Sequence, residues 1–444
     1  MWVVLGWVAL PVLIASAVAA LGPAAIVLGV AVIVALLVVL RPNATVQAFA
    51  LCFLVATVGI TWLSFRGPGG LTLSDFSLVA AAMVAVALIS RDGVPPAARR
   101  ALGPLVAFGL LLLAGGLVGG AFSGGLATGA ADAGRFVVSI TTSIVVATVL
   151  ASHRSLLPTF YAIYAGGAAL SVVYAVVAEG SLGRPSGLSV HPNHFAMAAM
   201  LGLFAGAAAI GRGSRLRATL MIACSSICAV GVLISGSRAA LIGTIVGGAF
   251  LLVLRSSRTL PVLAITALLC VGAVAITSQD STGSDALSRL LRPGQTVGLS
   301  NADRSEKLEI ALNQISGHAI TGIGFTEART AHSLALQLLV TGGVLGLLAL
   351  VAFIWFLSRV IRTAWRAPRR RRPTMEVTAT AGLVAAATTL VVQNNLWDRY
   401  LLVYLAVTAV AMIGAPRRER TASVDGPVRG TASGPEPARR SATS

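Results

Sequence analysis

The feature that most constrains this chain is a series of long apolar runs that recurs from one end of the sequence to the other. A helix needs about 20 mainly apolar residues to cross the hydrocarbon core of a bilayer. Only 11% of the 444 residues are charged, whereas an ordinary soluble domain carries about 25%. The runs are apolar on all sides, which does not fit surface helices of a soluble protein. The sequence therefore predicts an all-α, polytopic integral membrane protein.

Runs bounded by charged residues, glycine or proline define the candidate spans, and we expect about 12–14 transmembrane helices. They lie near residues 2–20, 24–40, 44–63, 74–90, 101–122, 136–151, 156–178, 193–211, 218–234, 239–254, 260–277, 332–358, 378–393 and 400–414. We expect residues 1–415 to form the membrane domain. Residues 416–444 are rich in Pro, Gly, Ser, Thr and Arg and are expected to form a disordered cytoplasmic tail.

The net charge of +18 comes mainly from arginines that lie between the apolar runs. Because short loops rich in basic residues stay in the cytoplasm, their positions predict that both termini are cytoplasmic. A long loop at residues 278–331 is then external. The basic loops, including the cluster at 366–372, suit anionic lipid headgroups, and we expect no nucleic-acid partner. The sequence also lacks a Walker or dinucleotide-binding motif in the right setting, so we expect no nucleotide cofactor.

Short motifs mark the long external loop and its surroundings. Residues 302–315 are predicted to form an amphipathic helix opened by Asn301-Ala302-Asp303-Arg304. A Gly322-Ile323-Gly324 turn follows, and His332 precedes a long apolar helix with a glycine step. Upstream, Gly183-Arg184-Pro185-Ser186-Gly187 comes before His191-Pro192-Asn193-His194. Ser235-Gly236-Ser237-Arg238 lies between two spans.

These motifs, in this order and on one predicted face, resemble the O-antigen ligase and polymerase family across about residues 180–355. The resemblance implies a GT-C-like glycosyltransferase architecture in a bacterial inner membrane. It also implies transfer or polymerisation of a polyprenyl-diphosphate-linked glycan onto a hydroxyl of a glycan or glycolipid acceptor at the outer face. The sequence departs from the family pattern at Ser333 and Thr341, where asparagine and an acidic residue are common. Ligase and polymerase activity both remain open.

The candidate residues suit such a reaction. Guanidinium groups bind phosphate oxygens through paired donors, so Arg184, Arg238 and Arg304 are candidate ligands of the donor diphosphate. Arg304 is also assigned to catalysis, because positive charge stabilises the leaving diphosphate without a metal. His332 is the candidate general base for the acceptor hydroxyl. Asn193 is a candidate substrate-binding residue, although its position also suits a helix N-cap.

Other interpretations of the same residues stay open. Arg184 suits the anchoring of a span end, Arg238 suits headgroup contact, and Arg304 suits an ion pair with Asp303 or Glu306. His332 suits capping of the following helix. No Asp-x-Asp site or third ligand for a histidine pair is evident, so we expect no metal. The main alternative function is a transporter or flippase of a lipid-linked or amphipathic solute, whose signature is charge buried within the spans.

Overall fold

The computed structural model describes residues 73–179, 184–189, 191–210, 214–254, 295–325, 332–367, 374–393 and 399–414. This part of the chain is helical and contains no strand. Its α-helices are α1 (Leu73–Asp92), α2 (Pro96–Ser123), α3 (Leu126–Ser152), α4 (Leu157–Tyr174), α5 (Pro192–Ala209), α6 (Arg215–Ile234), α7 (Arg238–Val253), α8 (Gln295–His318), α9 (Leu334–Arg366), α10 (Thr374–Leu390) and α11 (Arg399–Ile413).

Within the part of the chain that the structure describes, five helical segments are long and apolar enough to cross a membrane: Pro96–Ser123, Leu126–Ser152, Arg154–Glu179, Arg215–Ile234 and Leu334–Arg366. The third consists of α4 with a 3₁₀ turn before it and a π turn after it. Large apolar side chains on the outer faces, such as Leu110, are exposed, as expected of a surface that meets lipid. The predicted class, an all-α multi-pass membrane protein, is confirmed.

Every predicted span within the described residues coincides with a helix. The spans near 2–20, 24–40, 44–63 and 260–277, most of the first part of the long loop, and the tail at 416–444 lie outside the described residues. The predicted helix at 302–315 is present but begins at Gln295, about two turns earlier than expected. Its Ala311 and Ile315 pack against Ile323, whereas Leu308 is exposed.

Close packing between helices depends on small residues. Without a hydrophobic drive between spans, small side chains let helix backbones approach. The most extensive helix pair is α2 with α9, where Gly115, Gly116 and Gly119 of α2 leave no room for a Cβ atom. On α7, Gly243 and Gly247 meet α10 in the same way. These contacts hold the helix ends in fixed positions.

Helix α9 is broken at Gly343, whose φ of 53° and ψ of −127° are not helical. The Gly322–Gly324 turn fills this break: the Ile323 and Gly324 amides donate to the carbonyls of Val340 and Thr341, at 2.9 and 3.0 Å. The Val344 amide donates to Ile320 at 3.1 Å. Non-helical backbone is tolerated at membrane depth where it is satisfied by protein in this way. The turn thereby fixes the end of α8 against the start of α9.

Candidate functional site

Arg184 and Asn193 lie in contact at the start of α5. The Arg184 Nη2 donates to Asn193 Oδ1 at 3.0 Å, and its Nε donates to the Ser235 carbonyl at 2.9 Å. The helix is capped by His191, whose Nδ1 accepts from the Asn193 amide at 3.1 Å. The interpretation of Asn193 as an N-cap is therefore wrong. Its side chain instead holds the arginine that joins this segment to the turn between α6 and α7.

That turn, Ser235 to Arg238, is itself held by hydrogen bonds. The buried Ser235 hydroxyl accepts from the Ser237 amide at 3.1 Å, and Ser237 caps α7 by accepting from the Ala240 amide. Gln393, at the end of α10, donates from Nε2 to the Ser237 hydroxyl at 3.0 Å. These hydrogen bonds fix the backbone of the turn, and Arg238 follows it at the first position of α7.

Arg238 links this turn to the long loop. Its Nη2 donates to Asn301 Oδ1 of α8 at 2.9 Å. Asn301 and Arg304 lie one turn apart on α8, and Arg238 is close enough to Arg304 to lower the pKa of that guanidinium. Two arginines from sequence-distant segments are therefore neighbours. An anion bound between two neighbouring cations would relieve their mutual repulsion, so such a pair suits anion binding.

Arg304 is partly buried and makes no hydrogen bond or ion pair with any described residue. Burial and the nearby Arg238 charge lower its pKa, while Asp303 acts in the opposite direction. The expected ion pair with Asp303 does not form, because Asp303 binds Lys307 at 2.9 Å instead. Among the described residues the Arg304 guanidinium therefore has no partner for its donors, and it remains charged at any working pH.

His332 lies just before α9, facing α8. The helix N-cap is Ser333, so His332 does not cap it. Its Nε2 is buried and lies 3.6 Å from Asp303 Oδ2, which is longer than a hydrogen bond. Burial, Lys307 and Arg304 lower the pKa of His332, and Asp303 opposes them. The imidazole is therefore neutral near pH 7, as a general base must be before it takes a proton.

The four sequence motifs thus converge through three contacts: Arg184 with the Ser235 turn, Arg238 with Asn301, and His332 with Asp303. Asn301 and Asp303 belong to the motif at residues 301–304 of α8, but no role in the site was predicted for them. Their contacts join segments that are distant in the sequence. In the sequence itself, only their polarity beside apolar runs could have pointed to a role in the site.

Metal binding has no support among the residues that the structure describes. No group of three or more His, Cys, Asp or Glu side chains there is placed to hold a metal ion. The His191 and His194 rings lie with centroids 5.6 Å apart, beside one another.

Part of the chain is similar to a known protein family. Residues 223–351 match the family model described as O-antigen ligase. This segment, which is less than half of the chain, is therefore similar to O-antigen ligases. It contains Arg238, Arg304 and His332, whereas Arg184 and Asn193 precede it. No curated protein matches the chain at a significant level. The resemblance predicted from the motifs is confirmed, and the match supports O-antigen ligase-type glycan transfer in general.

Proposed function

We propose that this protein transfers a glycan from a polyprenyl-diphosphate carrier to an acceptor hydroxyl, as an O-antigen ligase or polymerase, at the outer face of a bacterial inner membrane. The observation that carries the proposal is the meeting of Arg238 and Arg304 beside His332, within the matched segment. Paired cations suit a diphosphate, and a neutral imidazole suits the activation of a hydroxyl.

In this reaction the acceptor oxygen bonds to the anomeric carbon while the bond to the diphosphate breaks. Negative charge then grows on the leaving polyprenyl diphosphate. Arg304, whose donors have no partner among the described residues, would stabilise that charge, and Arg238 would support it from α7. Arg184 uses Nε and Nη2 to hold Asn193 and Ser235, so its contribution combines positioning with charge. This arrangement supplies positive charge without a metal ion.

The proposal places α8 outside the cell and both termini in the cytoplasm. The supporting observation is the arginine distribution along the sequence. A cysteine at the exposed position Ser316, in a cysteine-free background, tests it. We expect an impermeant maleimide to label Ser316→Cys in intact spheroplasts. Labelling only after permeabilisation would show that the loop is cytoplasmic and would overturn the orientation.

The function is tested with purified protein in liposomes, a polyprenyl-diphosphate-linked oligosaccharide and a glycolipid acceptor. Wild type should form the larger glycan product. Arg304→Ala should slow product formation by about a hundredfold, as expected for loss of a group that stabilises transition-state charge. Arg304→Lys should recover activity only in part, because lysine keeps the charge and loses the planar two-point contact.

The matched control is Arg99→Ala, which changes an exposed arginine near the start of α2 whose guanidinium donates to the Val94 carbonyl. It should transfer glycan at the wild-type rate. Equal rates in Arg304→Ala and Arg99→Ala would remove Arg304 from the site. Movement of the donor across the bilayer without product, in wild type, would favour the flippase alternative and overturn the transferase proposal.

A further inference from the structure

His332 presents its two ring nitrogens to different surroundings. Nε2 is buried and faces the Asp303 carboxylate at 3.6 Å. Nδ1 is not buried, and it makes no hydrogen bond with the described residues. The side chain as a whole is 37% exposed. In the described structure Nδ1 is therefore the accessible ring nitrogen, whereas Nε2 is buried beside Asp303.

Asp303 is itself held in place. Lys307, one turn further along α8, donates to Asp303 Oδ2 at 2.9 Å, and the same oxygen is the one nearest to His332 Nε2. This contact and the positive charge of Lys307 keep the pKa of Asp303 below its usual range. The carboxylate thus stays ionised and is shared between an ammonium group and the buried edge of an imidazole.

We propose that Asp303 is a positioning residue that orients His332 so that Nδ1 takes the acceptor proton, with Lys307 setting how strongly Asp303 engages the ring. The inference rests on the proposed function. A carboxylate facing one ring nitrogen keeps the proton on that nitrogen and leaves the other as the base. Here the tautomer carries hydrogen on Nε2, and the lone pair of Nδ1 points to the accessible side.

The proton balance is simple. The acceptor hydroxyl gives its proton to Nδ1 while its oxygen bonds to the anomeric carbon, and the electron pair of the broken bond leaves with the polyprenyl diphosphate. The imidazolium that forms has an Nε2–H facing Asp303. Catalytic hydrogen bonds are commonly long beforehand and shorten during reaction, so a 3.6 Å separation suits this role.

The charged groups around His332 in the described structure all come from α8: Asp303, Arg304 and Lys307. The facing part of α9, Leu334 to Thr341, carries no charge. Glu327 and Arg329 lie in the adjoining segment outside the described residues. Removing Asp303 and removing Lys307 should therefore move the titration of His332 in opposite directions, although both changes break the same ion pair.

The experiment measures turnover against pH for liposome-reconstituted full-length protein with the lipid-linked donor and glycolipid acceptor. In Asp303→Asn the rise in rate with pH should shift to lower pH, because imidazolium loses its counter-charge. The plateau rate should fall between about tenfold and about a hundredfold, as expected when a base is misoriented. In Lys307→Met the rise should shift to higher pH, because a nearby cation is lost.

Glu306→Gln is the matched control, since Glu306 is exposed on the same helix, and it should leave the profile unchanged. If Asp303 only stabilises α8, Asp303→Asn and Lys307→Met should lower stability alike and leave the profile in place, which would overturn the inference. Failure of wild type to form product would instead overturn the proposed function. If wild type forms product but neither variant shifts its pH profile, the role of Asp303 is rejected and the proposed function is not.

Discussion

Gly119→Ala is the substitution for which the structure gives the sharpest expectation. A Cβ atom on Gly119 of α2 would lie 2.6 Å from the Gly324 amide nitrogen, 2.8 Å from the Thr341 carbonyl oxygen and 2.9 Å from the Thr321 carbonyl oxygen. All three are backbone atoms, so none can rotate away. The new methyl group would separate α2 from the turn that fills the break in α9.

The cost can be estimated from two effects. Overpacking of a close-packed interior costs about 1–3 kcal/mol. Loss of the hydrogen bond from the Gly324 amide to Thr341 leaves two buried groups unpaired, at about 1–3 kcal/mol. The higher helix propensity of alanine returns about 0.5–1 kcal/mol. We therefore expect Gly119→Ala to lower the free energy of unfolding by about 1–5 kcal/mol.

The assay is unfolding of detergent-solubilised protein by increasing SDS, followed by circular dichroism. Gly103→Ala is the control, because Gly103 lies on the same helix and a Cβ there meets nothing within 4 Å. It should be neutral or stabilising. If Gly119→Ala unfolds at the same SDS concentration as Gly103→Ala, the close approach between α2 and the Gly322–Gly324 turn is refuted.

Two further substitutions test buried polar groups by the same assay. Arg154 donates to the carbonyls of Val410 and Ala411 at the end of α11 and pairs with Glu376 at 3.4 Å. Arg154→Met should lower the free energy of unfolding by about 2–4 kcal/mol, and an unchanged value would contradict that role. Gln337 is fully buried, and neither side-chain amide atom has a partner among the described residues. Gln337→Leu should therefore raise stability by about 1–2 kcal/mol, and a loss would contradict this.

The sequence predicted the helices well because each span is set by a local property. An apolar run long enough to cross a bilayer forms a helix wherever it lies, since backbone groups must be satisfied within the segment. Helix α8 was harder to bound, because its first two turns, from Gln295, are polar and rich in small residues.

The break in α9 could not be predicted, because the glycine step around Gly343 also fits close helix packing. Whether α9 breaks at Gly343 depends on the turn at Gly322–Gly324, whose amides donate to the carbonyls that the break exposes. The site was predicted in part: motifs placed the arginines and His332 on one face. The pairings of Arg184 with Asn193 and of His332 with Asp303 depend on three-dimensional register, which the spacing does not encode.

The proposed reaction depends most directly on His332. The decisive measurement is turnover per folded molecule for purified His332→Gln with lipid-linked donor and acceptor, beside His318→Gln, which changes an exposed histidine at the end of α8. A general base contributes about 10²- to 10⁴-fold to the rate. We expect His332→Gln to fold normally and to turn over at least about a hundredfold more slowly, with His318→Gln at the wild-type rate. Near-normal turnover in His332→Gln would contradict the account.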